Sequence, residues 1–415
     1  MRKKIDMSNR RMSIDALAYF EAVRATCTLF ILLFASFMSY AQRMYSEEEI
    51  IAEALRVHPV IQTYSWNVES KSQLEKTAFS LPAPAISTQS PTGEFYALGI
   101  NQNIDFPGVY IRQRNVLQAE TDMARSQLQL TKQQLAWEVR TALADAQYTA
   151  TQLSFLFEQD SLLRFLRDAA KRQFDAGEID FLEKAFVELQ FGEVHQKLIT
   201  AQNESLAAIQ KVRYLCGLND LNKVSVFTRD ELLSAMLSDS TINVSNAYLD
   251  VAKKEVLVAD KMIKLERMKV MPGFQFGYLN QTERNSSFTY RWQAGITIPL
   301  WWWQYGGRIK ASEANAKRAA QNELAVIKSF ENSKLDVMSQ LNSESQRLNY
   351  YFTTGLKEAA ALEEASHRFF EAGERNYTTH LRTMNDVLQV KFGYADAVFA
   401  YSKALAQFKF INGSN

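Results

Sequence analysis

One stretch of this chain occurs twice, and that duplication constrains the fold more than any other feature. Displaced by 196 positions, Gly99 falls on Gly295, Ile100 on Ile296 and Arg112 on Arg308 without a gap. Ala169, Arg172, Phe174, Ala176, Gly177 and Glu178 fall on Ala365, Arg368, Phe370, Ala372, Gly373 and Glu374, and Gly217 falls on Gly413. Matches that gather at glycines and at one motif, FDAGE against FEAGE, mark a tandem repeat. Each copy must then build the same supersecondary unit.

The longest part of that unit reads as a rod. Arg112 to Phe174 holds neither proline nor glycine, and the corresponding 308–370 is read as equally unbroken. Alanine, leucine, glutamine, lysine and glutamate dominate both, and all favour helix. At ~1.5 Å per residue such a stretch extends on the order of 93 Å, several times the mean globular helix of ~11–12 residues. Rods of this length pack side by side. Ala136, Ala142, Ala144, Ala146 and Ala150 would let neighbours approach closely. Gly177 and Gly373 mark the reversals, and return helices are expected over about 178–216 and 376–412. Shorter helices over roughly 46–79 and 242–270 lead into the strands. The first starts at Ser46 with Glu47, Glu48 and Glu49 at the positive end of the dipole, and is read as passing through His58-Pro59.

Between short helix and rod each copy carries a hairpin, about 84–106 and about 272–299. In the second, Phe288, Tyr290, Trp292, Ala294, Ile296 and Ile298 alternate with Thr289, Arg291, Gln293, Gly295 and Thr297. A strand against a protein core could alternate in this way, but the opposite face carries arginine and glutamine. Aromatics outward with polar residues inward is the pattern of a transmembrane barrel strand, which would put Arg291 and Gln293 in the lumen. Trp301, Trp302, Trp303 and Tyr305 follow directly, placed for the aromatic belt at a bilayer boundary. The first hairpin is shorter, with 15 positions from Pro84 to Gly99 against 23 from Pro272 to Gly295.

Composition narrows the function. The net charge of +1 argues against nucleic acid, whose phosphates favour a basic face. Arg2, Lys3, Lys4, Arg10 and Arg11 precede an apolar run near Cys27–Met38 and small residues at Ser39-Tyr40-Ala41, so 1–41 reads as an export signal. Cys27 lacks a lipoprotein context, which leaves Cys216 as the one cysteine after residue 41 and excludes an intramolecular disulfide. Beyond residue 42 no apolar stretch is long enough for a membrane helix, so membrane contact would need strands. Two hairpins supply four strands, too few to close a single-chain barrel, so the chain must oligomerise. His58, His195, His367 and His380 are scattered with no ligand spacing, and read as surface or interface residues. Met268 and Met271 read as packing residues. No phosphate-binding loop, nucleophile elbow or zinc-binding run is present, so neither an enzyme nor a cofactor is expected.

Taken together, the export signal, the helix–hairpin–rod repeats, the passage GITIPLWWWQYGGR and the paired FDAGE/FEAGE tips resemble the TolC family of outer-membrane efflux channels. QNIDFPGVYIRQ is similar to its heavy-metal, CusC/CzcC-like branch. The resemblance covers the chain after residue 41 almost end to end: first repeat 42–217, equatorial connection 218–241, second repeat 242–415. It implies an α+β membrane protein that forms a homotrimer, with a twelve-stranded barrel in outer-membrane lipid continued by a periplasmic α-helical barrel. It further implies a periplasmic adaptor (membrane fusion protein) and an inner-membrane pump of RND type, with metal cations or drugs as cargo. By resemblance the tips close the tunnel, with Arg375 and Glu183 contributing to the constriction among Phe174, Gly177, Glu178, Asp180, Phe370, Gly373 and Glu374. Phe370 stands where the family carries a tyrosine and Thr379 where another acid is expected. Two rival readings are the exit duct of a type I protein-secretion system and a periplasmic coiled-coil scaffold without a pore.

Overall fold

The computed structural model describes residues 45–89, 97–219, 221, 246–280 and 291–413. The expected export signal, both hairpin tips and most of the 218–241 connection lie outside the described residues. Helices α1 (Glu47–Val57) and α2 (Pro59–Glu75) and a short 3₁₀ turn (Lys76–Phe79) lead to strands β1 (Ala85–Gln89) and β2 (Ala97–Ile104). The first rod, α3, then runs from Pro107 to Asp175 and returns as α4 (Phe181–Cys216). The second repeat follows the same order. Helix α5 (Ala247–Met268) leads to β3 (Gly273–Asn280) and β4 (Trp292–Thr297). The second rod is α6 (Trp302–Tyr350), a π-helical turn (Tyr351–Gly355) and α7 (Leu356–Glu371), and it returns as α8 (Tyr377–Ile411). Among the described residues no helix is long and apolar enough to cross a membrane.

Two expectations need correction. The entry helix is not continuous: His58 adopts an extended ψ of 128°, and α2 starts afresh at Pro59. A residue before proline is driven out of the helical region by clash with the ring. The imidazole of His58 then caps the new helix, Nδ1 accepting from Val60 N–H at 3.3 Å. Nor is the second rod unbroken, because Gly355 lies within it and closes the π-helical turn. The Tyr351 ring lies against this turn and against α8. A methyl group on Gly355 would meet it at 3.0 Å, and one on Gly393 would meet its hydroxyl at 2.2 Å. Two glycines thus make room for one tyrosine where the rod changes pitch.

Helices α1, α2, α4, α5 and α8 pack on α3, and the second rod packs on α5 and α8. Ala136, Ala142 and Ala146 are fully buried there, and such small side chains let α4, α5 and α8 come close. Toward the tips, Leu156, Leu163, Leu166 and Ala170 of α3 meet Val187, Val194 and Leu198 of α4 and Tyr377 and Leu381 of α8 in one apolar cluster. Near the sheet, Val109 and Val116 meet Leu265 of α5, with Met268 packed on them, whereas Met271 is exposed. The second rod is packed far less. On α6 only Ala319, Val337 and Leu348 are buried among the described side chains, while Leu324, Leu335 and Met338 are exposed.

A charged bolt ties the chain's start to both repeats. Glu47 of α1 accepts from Arg140 Nε of α3 at 2.8 Å and from Lys409 Nζ of α8 at 3.0 Å. Burial pushes the Glu47 carboxyl up, but Lys409 and Arg140 more than reverse this and hold it below the usual carboxylate range. A depressed carboxylate stabilises above its unfolded pKa and loses that contribution as pH falls through the folded one. Glu47→Gln should therefore lower the unfolding free energy by about 1–3 kcal/mol at neutral pH, and the gap to wild type should close below about pH 4; urea unfolding at several pH values measures both. Gly393→Ala should cost about 1–3 kcal/mol by overpacking, read as a drop in Tm that Tyr351→Leu partly restores.

Candidate functional site: the helix tips and the two-faced sheet

The two ends of the rods carry the chemistry. At the reversal of α3, Gly177 takes φ +78°, and at that of α7, Gly373 takes +72°. A left-handed residue just past the helix is what lets the chain turn while its last carbonyls stay bonded. Gly177 N–H donates to the Phe174 carbonyl at 3.0 Å and Glu178 N–H to Gln173 at 2.9 Å. The second tip repeats both bonds, Gly373 N–H to Phe370 and Glu374 N–H to Phe369, each at 3.0 Å. Each return helix then opens on an equivalent cap. Asp180 Oδ1 accepts from Glu183 N–H at 2.8 Å, and Asn376 Oδ1 accepts from Thr379 N–H at 3.0 Å and from its hydroxyl at 2.8 Å. Thr379, where an acid was expected, thus completes a cap.

Glu178, Asp180, Glu374 and Arg375 are exposed and Glu183 is half-buried. Arg375 and Glu183 form no ion pair with each other or with other described residues of the chain. Phe174 lies 6.4 Å from Phe181, with Lys184 Nζ over its face at 4.8 Å. The tips are joined by Tyr377, whose hydroxyl donates to Gln173 Oε1 at 3.0 Å. Burial and the nearby Glu183 push the Tyr377 phenol up. This hydroxyl contact was missed in the sequence, although Tyr377 falls on Phe181 in the repeat and was there to be compared.

His380 corrects the reading of the histidines as surface or interface residues. It is 1% exposed. Its Nδ1 lies 2.8 Å from Ser366 Oγ, its ring stacks on Phe370 at 4.5 Å, and the His367 ring stands 5.0 Å away. Burial, with His367 adding to it, holds its pKa below the ordinary value. The 14 positions between Ser366 and His380 disguise a contact made only when the tip folds back. Among the described residues no three His, Cys, Asp or Glu side chains gather as a metal-binding group.

At the other end the four strands form one antiparallel sheet in the order β1-β2-β3-β4. Pairing Ile86 with Ile100, Ile100 with Tyr278, Phe276 with Ala294 and Tyr278 with Trp292 puts Ile86, Leu98, Ile100, Phe274, Phe276, Trp292 and Ile296 on one face, with the polar Thr88 and Gln102 among them. Ser87, Asn101, Asn103, Gln275, Gln293 and Thr297 occupy the other, with Leu279 beside them. Arg291 sits just before β4. No charged side chain lies within the four described strands. Trp292 and Ile296 are 61% and 65% exposed, which an apolar face turned to water would not tolerate in a patch of this size. Beyond β4, Trp301 and Trp303 are exposed, their rings 5.1 Å apart, and Tyr305 is half-buried.

No family model and no curated protein matches this sequence. Solved structures do. The CmeC outer membrane channel of Campylobacter jejuni superposes with a TM-score of 0.74 at 11% identity, over 88% of this chain and 85% of that one. A structure of CusC, described in terms of folding and transmembrane channel formation, gives 0.73 at 12%, over 89% and 92%. VceC, an outer membrane protein of Vibrio cholerae, gives 0.69 at 12%, over 89% and 96%. Likenesses so even do not single out the CusC/CzcC-like branch. The chain has the TolC-like fold of these outer-membrane proteins over nearly its whole length.

Proposed function

We propose that this chain is the outer-membrane exit duct of a tripartite efflux system. Three copies of its four-stranded sheet close a twelve-stranded barrel in the outer membrane, and their rods continue as a helical tunnel into the periplasm. A periplasmic adaptor and an inner-membrane pump of RND type deliver the cargo, metal cations or drugs, and the chain itself catalyses nothing. The observation that carries this reading is the sheet. It has one mainly apolar face and one mainly polar face without charges, and among the described residues β1 and β4 are each paired on one side only. Lipid does not tolerate unpaired strand edges, and a second copy offers the partner for each. The exposed apolar residues of α6 and those of α4 (Phe181, Leu182, Leu189, Leu206 and Tyr214) supply matching faces on the rods. The same sheet argues against a scaffold without a pore.

The tip constriction, with Arg375 and Glu183 as its charges, is part of this proposal. Among the described residues neither has an ionic partner, which leaves both for neighbouring copies around a common axis. Carboxylates gathered at a constriction favour cations. Reconstituted in a planar bilayer, the purified protein should give a small, cation-favouring conductance that rises in Arg375→Ala or Glu183→Ala. Conductance unchanged by both substitutions would remove the gate assignment and keep the channel. A folded oligomer that never conducts would overturn the channel.

A further inference from the structure

The two tips are built alike but not charged alike. Displaced by 196 positions, Phe174 falls on Phe370 and Lys184 on His380. In the first repeat a permanent cation lies over the phenylalanine face, at 4.8 Å, on a half-buried side chain. In the second an imidazole occupies the same place at 4.5 Å, 1% exposed. We propose that the His367–His380 pair is an acid-sensitive latch that holds α7 against α8 and releases this tip when protonated.

The surroundings of His380 favour the neutral ring. Its hydrogen-bond partner is the Ser366 hydroxyl at 2.8 Å, an uncharged group, and its Nε2 is buried without one. The one charge-bearing neighbour that acts on it is His367, and that interaction is repulsive when both rings carry protons. Phe370 offers an imidazolium a π face, but among the described residues no carboxylate stands beside it. The other ionisable groups nearby do not act on His380. On the α7 side Glu363 pairs with Lys391 of α8 at 2.9 Å, and both line a cavity of about 200 Å³ with His367 and with Glu158 of α3. From α4 and α3, Glu183, Arg172 and Glu178 act on Tyr377 rather than on His380. The contrast is His195, whose Nδ1 lies 2.8 Å from the buried Asp160 carboxylate.

A histidine whose folded pKa is depressed leaves the packed state fully stable above about pH 6.5, its free value, and weakens it as pH falls below that. The ring then gains by reaching water, as Lys184 already does. For His380 that requires α8 to move off α7. In the proposed channel this loosens the tip, a consequence that rests on the channel reading, whereas the latch itself does not.

Hydrogen exchange on the detergent-solubilised protein separates the two. After correction for intrinsic rates, exchange in 356–371 and 377–390 should rise between pH 7.5 and 5.5 relative to α4 by up to about tenfold, the limit for one unit below the free histidine value of about 6.5. His380→Phe, which keeps a ring on Phe370, should abolish the rise, and His367→Gln should weaken it. An equal rise in His380→Phe overturns the latch. Should that variant fail to fold by circular dichroism, an undiminished rise in His367→Gln overturns it instead. Bilayer conductance over the same pH range then reports on the gate: an acid-induced rise in exchange without one in current retains the latch and disconnects it from the pore.

Discussion

The close approach of helices to α3 is the constraint from which the rest of the architecture follows. A rod of 69 residues cannot be stabilised by its own hydrogen bonds against a costly nucleus and fraying ends. It needs partners along its whole length. The alanines at 136, 142 and 146 and the leucines and valines between them supply contacts to short and return helices in turn. Burial is concentrated there, while α6, its counterpart, keeps few buried side chains. One rod thus carries much of the interior, and the other leaves a long face for something outside the protomer.

Much of this was legible because duplication fixes ends. Helix tips are ordinarily hard to place, but a glycine that recurs at a fixed offset marks them: Gly177, Gly217, Gly373 and Gly413 all have positive φ, between 69° and 78°. The caps at Asp180 and Asn376 follow one turn's start later in both copies. What escaped were features with no repeat partner. His58-Pro59 breaks a helix through a local steric rule that helical periodicity overrode. Gly355 is matched by Gln159 in the first rod, which runs on as regular helix, so the repeat itself argued for continuity there.

The sites divide in the same way. The sheet's two faces were readable from alternation, since side chains two apart share a face. Its register and order were not, because they depend on how two hairpins from distant parts of the chain meet: β2 pairs with β3 across more than 160 positions, Leu98 opposite Asn280. At the tips the residues could be named, but not their bonds. Tyr377 to Gln173 and Ser366 to His380 exist only once rods and return helices pack, and nothing in local sequence distinguishes a buried histidine from a solvated one.

Divergence between the two tips is therefore more informative than their similarity. Backbone bonds, caps and the phenylalanine are retained, which means the turn geometry tolerates little change. The charges are not: Lys171, Lys184 and Asp180 face His367, His380 and Asn376 across the duplication. Three permanently charged groups in one copy have become neutral or titratable groups in the other, and the return helix of that copy buries what the first copy leaves in reach of water. A repeat under structural demand alone has no reason to exchange a half-buried lysine, paired with Glu188 at 3.8 Å, for an enclosed imidazole, because the enclosed ring gains no carboxylate partner in return. In the proposed trimer the tips would alternate around the axis, three of fixed charge and three whose charge depends on pH. Such an arrangement lets one set keep the ring assembled while the other yields.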